Sequence, residues 1–131
     1  MKPVDKNEKL SRFLSSHSHY SSQKREVKFG AFIGPKDSQD LSVFRISTLS
    51  EMAIWAIGEN ALRKSSQGLK ARADLLAECV FDIGLEVVPE TSDHPRHANI
   101  RPFPVEREQR QSIARELALK STLVVFHQEE N

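Results

Sequence analysis

Apolar residues along the chain occur in short runs separated by polar turns, which predicts a mixture of helices and strands. The segment 7–14 carries leucine and phenylalanine at helical spacing, and it predicts a short helix. Residues 27–33 alternate in part between apolar and polar types, and an apolar run returns at 41–46. The intervening Gly-Pro-Lys-Asp is typical of a turn, so these two segments predict an antiparallel hairpin.

The second half of the chain predicts further helices and short strands. Ser50 precedes an acidic residue and an apolar run, which is the pattern of a capped helix start, and Gly84 is placed to end a later helix. Helices are predicted at 51–64, 75–83 and about 105–117. Strands are predicted at 85–88, 98–101 and 123–126, while 69–73 fits either a strand or a helix start. Because helices and strands do not alternate strictly, we predict a small two-layer α+β domain with a mixed or antiparallel sheet and about three main helices.

The length of 131 residues favours a single domain spanning residues 1–131. We expect flexible ends at 1–6 and 127–131, and an exposed loop rich in serine and histidine at 15–25. No apolar run is long enough for a membrane span, and residues 1–9 are too polar for a secretion signal. The expected location is therefore the cytoplasm, with no membrane partner.

The charges nearly cancel over the whole chain, with 19 Lys and Arg against 18 Asp and Glu, a net charge of +1. Residues 1–30 hold seven basic and three acidic residues, and the rest of the chain holds twelve and fifteen. Near-neutrality argues against a protein built mainly to coat nucleic acid. The basic N-terminal region still leaves nucleic-acid binding there as an alternative.

The segment 94–101 is the main candidate for a functional site. Together with the preceding Asp93, residues 94–100 hold two imidazoles, a guanidinium, a carboxylate and a carboxamide beside a proline. Arg96, His97 and Asn99 are suited to hold an anion, because a planar guanidinium and imidazole donors match phosphate oxygens. The same segment also fits a polar loop between two strands, or an acid–base pair formed by His94 and His97.

Two arginines inside apolar segments extend this candidate site. Arg45 lies in a predicted strand and Arg72 at the start of an apolar stretch. If both faced a cleft, they would join Arg96 in clamping a phosphate group. The alternatives are a solvent-facing strand residue and an ordinary surface ion pair of Arg72 with Asp74.

Metal and nucleophile signals are weak. His17 and His19, like His94 and His97, have spacings that zinc accepts, but neither pair is predicted on a helix with a carboxylate partner, so no metal site is expected. Cys79 shares an apolar helix face and is expected to be a buried structural thiol. No glycine-rich nucleotide loop or dinucleotide fingerprint occurs, so no cofactor is expected.

Several segments resemble a group of small, uncharacterised bacterial proteins. They are the LSVFR at 41–45, the helix start at 49–55, the ARADL at 71–75 and the PRHANI at 95–100. The resemblance spans about residues 10–120. It implies a bacterial protein of one domain and brings no activity with it. It also suggests a role beside neighbouring genes, in mobile or defence loci.

These patterns support three functional hypotheses. The first is a small cytosolic binding or accessory module, without catalysis, that recognises a protein partner or a phosphate-bearing ligand through 94–101. The second is a small enzyme acting on a phosphodiester or nucleotide, with His94 and His97 as the acid–base pair. The third is a nucleic-acid-binding accessory protein that uses the basic N-terminal region.

Overall fold

The computed structural model describes residues 3–126, which form an α+β structure of eight strands, three α-helices and two short 3-10 helices. The strands are β1 (Lys9–Leu14), β2 (Tyr20–Ser21), β3 (Glu26–Val27), β4 (Leu41–Arg45), β5 (Ala71–Leu76), β6 (Glu86–Pro89), β7 (His97–Arg101) and β8 (Thr122–Val125). The helices are α1 (Glu51–Ala61), α2 (Ala77–Asp82) and α3 (Arg107–Lys120), and the 3-10 helices are His17–His19 and Phe29–Phe32. The predicted α+β class is confirmed. The predicted flexibility of residues 127–131 and of the first two residues lies outside the described residues.

Six strands form one antiparallel sheet in the order β6-β7-β4-β1-β5-β8, and β2 pairs with β3 in a separate ribbon. The two neighbours of β1 are paired with it to different extents. β1 runs beside β5 along its whole length, but its register with β4 covers only Leu10 and Ser11. The side chain of Arg12, the next residue, lies between β1 and β4 and donates to the carbonyl oxygen of Ser42 on β4.

The helix predicted at 7–14 is wrong, because this segment is the central strand β1. Leu10 and Leu14 point to one face of the sheet, and Ser11 and Phe13 point to the other. All four are buried, so apolar residues from both faces produce a spacing that imitates a helix. A strand buried on both sides does not show the alternation that identifies a surface strand.

The hairpin predicted from 27–33 and 41–46 is also wrong. Val27 ends the short strand β3, and Phe29–Phe32 then forms a 3-10 helix. Ala31 and Phe32 are both buried, which a flat strand with one exposed face does not allow. Strand β4 pairs with β1 and β7 instead.

Most of the later elements match their predictions, with shifted boundaries. The strands predicted at 85–88, 98–101 and 123–126 are confirmed as β6, β7 and β8, and 69–73 leads into β5. The helix predicted at 75–83 begins later because Leu75 belongs to β5. Gly84 follows this helix with a φ of 84°, a conformation that glycine adopts without strain. Cys79 is half-buried.

Helices cover the two faces of the sheet unequally. The larger hydrophobic cluster lies on the first face, where the sheet packs against α2, α3 and the helix Phe29–Phe32. On the second face, Ile54 of α1 packs with Phe13 and Ile46 in a smaller cluster. This second face stays open beyond α1, above β4 and β7. Within residues 3–126, no helix has the length and apolar character needed to cross a bilayer.

Candidate functional site

A cleft of about 380 Å³ lies on the second face, between the end of α1 and the strands β4 and β7. We call it the α1 cleft. The polar side chains that line it are Arg12, Ser42, Asn60, Arg63, Asp93, His94 and His97. The rings of Phe13 and Phe44 form an aromatic wall of the cleft, and their centroids are 5.6 Å apart. The cleft thus combines two cations, two imidazoles and one carboxylate with two flat apolar surfaces.

His97 lies at the centre of a hydrogen-bonded chain in this cleft. Its Nδ1 is 2.9 Å from Oδ1 of Asp93, and its Nε2 is 3.0 Å from Oγ of Ser42. An ionised carboxylate only accepts hydrogen bonds, so Nδ1 carries the proton of the neutral ring. Nε2 is then an acceptor for the Ser42 hydroxyl. The His97 side chain is 10% exposed, and the centroid of its ring is 5.3 Å from that of the Phe44 ring.

His94 has the opposite tautomer. Its Nδ1 accepts a hydrogen bond from the backbone N–H of Arg96 at 3.0 Å, so the proton of the neutral ring is on Nε2. Its ring meets Phe44 edge-on at 5.6 Å. The α1 cleft therefore contains one imidazole whose Nε2 accepts and another whose Nε2 donates, which suits an anionic ligand or an acid–base pair.

Arg12 brings a desolvated positive charge to the cleft. Its Nε donates to the carbonyl oxygen of Ala31 at 3.0 Å, and its Nη1 donates to that of Ser42 at 2.9 Å. Burial lowers the pKa of Arg12 to about 10, so the side chain still carries its charge at neutral pH. No ion pair with a carboxylate is formed by Arg12 within residues 3–126.

Arg63 adds a second positive charge at the cleft rim. It follows the C-terminus of α1, and its Nη1 donates to the carbonyl oxygen of Asn60 at 2.9 Å and to the Asn60 Oδ1 at 3.3 Å. Asn60 thus orients the exposed guanidinium next to the cleft. Across the described part of the chain, Arg63 likewise has no carboxylate partner.

The structure brings only part of the predicted segment 94–101 into the cleft. His94 and His97 line it. Arg96 instead donates to the carbonyl oxygen of Ser47 at 3.4 Å. Arg101 pairs with Asp40 at 2.7 Å. Asn99 is half-buried on β7, beside Ser42 of β4 in the sheet register, and is not part of the cleft lining.

Arg45 and Arg72, which sequence reasoning placed with Arg96, lie apart from the α1 cleft. Arg45 pairs with Glu8 at 3.0 Å. The side chain of Arg72 is 3% exposed and contacts the carboxylates of Glu51 and Asp74 at 2.9 and 3.1 Å. Its guanidinium also lies 4.6 Å from the Trp55 ring centroid. Both arginines therefore have carboxylate partners of their own and are not gathered around one ligand position.

The histidines predicted from zinc-like spacings are distributed over different places. His17 bonds through Nδ1 to the hydroxyl of Tyr20 at 3.0 Å. His19 lines a second cleft, beside Gly30 and α3. Burial, with a contribution from the charge of Arg12, lowers the pKa of His19. Within residues 3–126, no group of three or more His, Cys, Asp or Glu side chains is arranged to hold a metal ion.

Sequence reasoning missed four polar residues of the cleft: Arg12, Ser42, Asn60 and Arg63. Ser42 is an ordinary strand residue in sequence, and only the pairing of β4 with β7 brings it to His97. A signal for Arg12 did exist, because it interrupts the apolar run of β1 in the same way that Arg45 and Arg72 interrupt theirs. Arg63 lies near the end of the helix predicted at 51–64 and carries no distinguishing pattern.

Comparison with known proteins adds no assignment: no protein-family model, no curated protein and no solved structure matches this chain. The resemblance to small bacterial proteins therefore stays a prediction. The geometry of the α1 cleft carries the functional argument alone.

Proposed function

We propose that this protein is a binding module for a small phosphate-bearing ligand, which occupies the α1 cleft. The observation that carries the proposal is Arg12, a desolvated guanidinium facing a cleft without a carboxylate partner among the described residues. Removing a cation from water is costly unless an anion compensates it. A bound phosphate group would supply the missing negative charge.

The charge balance of the cleft supports an anionic ligand. Arg12 and Arg63 contribute two positive charges against the single carboxylate of Asp93. That carboxylate is engaged with His97 and is 64% exposed, so it points toward solvent as much as toward the cleft. The Nε2–H of His94 offers a further donor. Guanidinium groups bind phosphate through their N–H donors, and among residues 3–126 the hydrogen bonds of Arg12 and Arg63 do not use Nη2.

The size and walls of the cleft favour a small molecule over a protein partner. A volume of about 380 Å³ lies within the range of small-ligand pockets, and protein partners more often use flatter surfaces. The rings of Phe13 and Phe44 offer apolar faces to the part of a ligand that does not carry the phosphate. A phosphomonoester with a flat organic part, such as a mononucleotide, fits this description best.

The test compares AMP with adenosine, because the two differ only in the phosphate group. Isothermal titration calorimetry on the whole chain should detect AMP and not adenosine at the same concentrations. Replacing Arg12 with methionine should weaken AMP binding at least about tenfold, since one charge-assisted contact contributes roughly 1.5–3 kcal/mol. Arg107→Met, an exposed arginine on α3, is the matched control and should bind as the parent does.

Two results would contradict the proposal. The first is equal binding of AMP by the Arg12→Met and Arg107→Met variants. The second is the absence of any response to AMP, inorganic phosphate or other mononucleotides at millimolar concentration. Backbone amide shifts in an NMR titration locate the ligand independently, and they should be largest around Ser42, Arg63 and His97.

A further inference from the structure

The chain Asp93–His97–Ser42 has the order of groups that activates a serine hydroxyl. His97 accepts from the Ser42 O–H through Nε2 at 3.0 Å and donates from Nδ1 to Asp93 at 2.9 Å. A nucleophile bonded to a base, which is itself oriented by a third group, is the arrangement used in covalent catalysis. Ser42 is exposed at the cleft, so a substrate has access to its oxygen.

The backbone holds these groups in place. Phe44 of β4 pairs with His97 of β7 in the sheet, and Ser42 pairs with Asn99. Ser42 and His97 are therefore diagonal neighbours on one sheet face, within reach of long side chains. The amide of His97 donates to the carbonyl oxygen of His94 at 3.1 Å, closing the turn that presents Asp93 to the ring. The exposed Asp93 contributes mainly by fixing the tautomer and orientation of His97.

Arg12 places a positive charge close to Ser42. Arg12 donates from Nη1 to the carbonyl oxygen of Ser42 itself, at 2.9 Å, so its guanidinium is next to the residue that would attack. Burial strengthens its field, because little water screens it. A fixed cation beside a reacting carbonyl stabilises the tetrahedral oxyanion.

We infer that Ser42 is the nucleophile of a carboxylic-ester-cleaving site, with His97 as its general base and Asp93 as a positioning residue. Ser42 Oγ bonds to the ester carbonyl carbon while its proton passes to His97 Nε2. The bond from that carbon to the alcohol oxygen then breaks, and the proton goes from His97 to the departing alcohol. Water next gives a proton to His97, attacks the acyl carbon and releases the acid, and Ser42 regains its proton.

This inference goes beyond the proposed function and does not require it. Ester cleavage at Ser42 does not depend on the protein having a phosphate ligand. If AMP binds in the same cleft, it should slow acylation of Ser42. Acylation without AMP binding would support Ser42 as the nucleophile and contradict the phosphate-bearing ligand. AMP binding without acylation would support the ligand and contradict the nucleophile.

The experiment uses p-nitrophenyl acetate, whose alcohol part is coloured when released. We expect a rapid release of about one equivalent of p-nitrophenol per chain, with an acetyl group found on Ser42 by peptide mass spectrometry. Ser42→Ala should remove both signals, and Ser66→Ala, at an exposed serine, should keep them. His97→Gln should slow the release by about 10²- to 10⁴-fold, the usual contribution of a general base, while His17→Gln should not.

The positioning role of Asp93 is tested by the tautomer of His97 together with the acylation rate, because a merely structural role of Asp93 would not change the tautomer. Asp93→Asn should shift the His97 ring away from the Nδ1–H tautomer, which imidazole ¹⁵N shifts report, and should slow acylation by about tenfold or more. The exposed Asp82→Asn is the matched control and should change neither. An unchanged tautomer together with an unchanged rate would remove Asp93 from the mechanism.

A second variant guards against a folding artefact. Ser42→Cys places a thiol beside His97, and Cys79 of the same chain serves as an internal reference. The new thiol should react with iodoacetamide at least about tenfold faster than Cys79, because a neighbouring base raises the thiolate fraction. Acetylation of lysines alone, equal release by Ser42→Ala, or a new thiol no faster than Cys79 would overturn the inference.

Discussion

Arg12 and Arg72 are both arginines of the central sheet, Arg12 half-buried and Arg72 buried, and their surroundings differ. Arg72 meets two carboxylates and the face of Trp55. Burial alone would lower the pKa of Arg72, but the hydrogen bonds that it donates to Glu51 and the charge of Asp74 outweigh burial, so this pKa is raised. Arg12 meets two carbonyl oxygens, and burial lowers its pKa to about 10.

Under the proposed function, this difference separates a structural arginine, Arg72, from a ligand-binding arginine, Arg12. The ion pair of Arg72 with Glu51, the first residue of α1, fastens α1 to β5, and the pair with Asp74 lies within β5. Arg110 is buried like Arg72, and it donates to the carbonyl oxygens of Ser38, Pro104 and Pro35. Through these three carbonyl groups, Arg110 joins α3 to the segments that contain Pro35, Ser38 and Pro104. Arg12 combines fewer partners with a position on an open cleft.

The largest expected effect is on stability, and it should differ sharply between the two positions. Arg72→Met leaves the buried Asp74, whose side chain is 5% exposed, without a partner. We expect a loss of about 3–5 kcal/mol in the free energy of unfolding. Arg12→Met removes a desolvated cation together with its hydrogen bonds, so the change should stay within about 1 kcal/mol.

Urea unfolding followed by Trp55 fluorescence measures both variants, with Arg107→Met as the surface control. Equal losses at positions 12 and 72 would show that the two arginines stabilise the fold alike. The distinction between a structural and a binding arginine would then fail.

The next effect is stabilisation by phosphate. A ligand that binds only the folded state adds about 2.7 kcal/mol of stability at a concentration about 100 times its Kd. AMP should therefore raise the unfolding midpoint of the parent protein and of Glu51→Gln, which leaves the α1 cleft intact. Arg12→Met should lose this rise. A rise that survives in Arg12→Met would place the anion elsewhere.

A smaller effect is expected from the exposed half of the Arg72 network. The hydrogen bond from Arg72 lowers the pKa of Glu51, whose side chain is 68% exposed. A carboxylate with a lowered folded-state pKa stabilises the protein above its ordinary pKa, and this contribution is lost as the pH falls through the lowered value. Glu51→Gln should thus cost no more than about 1 kcal/mol at neutral pH and flatten the acid dependence of stability.

The measurement for Glu51 is urea unfolding at a series of pH values between neutral and strongly acidic. The exposed Glu59→Gln of the same helix is the control and should keep the parent's acid dependence. A loss at neutral pH as large as that of Arg72→Met would contradict the assignment of the main contribution to Asp74.

The smallest expected effect is a shift in titration. Burial is the main cause of the lowered pKa of His19, and the charge of Arg12 adds to it. Arg12→Met should therefore raise the His19 pKa part of the way toward its ordinary value, as followed by NMR of the ring protons. A histidine whose pKa is lowered in the folded state destabilises the protein as the pH falls through the pKa of that histidine in the unfolded state. The stability of this variant should therefore fall less in mild acid than that of the parent. A His19 pKa that is the same in Arg12→Met and in the parent would show that the charge of Arg12 does not act on His19.

The fold class could be predicted because most helices and strands of the second half of the chain carry clear local signals. Ser50 caps α1 through its side chain, as its position suggested, and Gly84 follows α2 with positive φ. The N-terminal third could not be predicted in this way. Leu10 and Phe13 belong to opposite faces of a strand buried on both sides, and tertiary packing, not local spacing, decides its structure.

The candidate site was predictable only where its residues are neighbours in sequence. His94 and His97 were found because they lie three residues apart, and Asp93 is adjacent. Ser42 is 55 residues from its hydrogen-bond partner His97, and only the β4–β7 register joins them. Arg45 and Arg72 carried the right sequence signal, but distant carboxylates at Glu8 and Glu51 engage them, which no local pattern indicates.

The gap between β1 and β4 has a consequence for communication across the sheet. Arg12 lines the α1 cleft on the second face, and its Nε bonds to Ala31 of the helix Phe29–Phe32, which packs on the first face. A ligand that pulled this guanidinium toward the cleft would strain its hydrogen bond to Ala31. Binding on one side of the sheet would then be felt on the other side, where the charge of Arg12 contributes to the lowered pKa of His19.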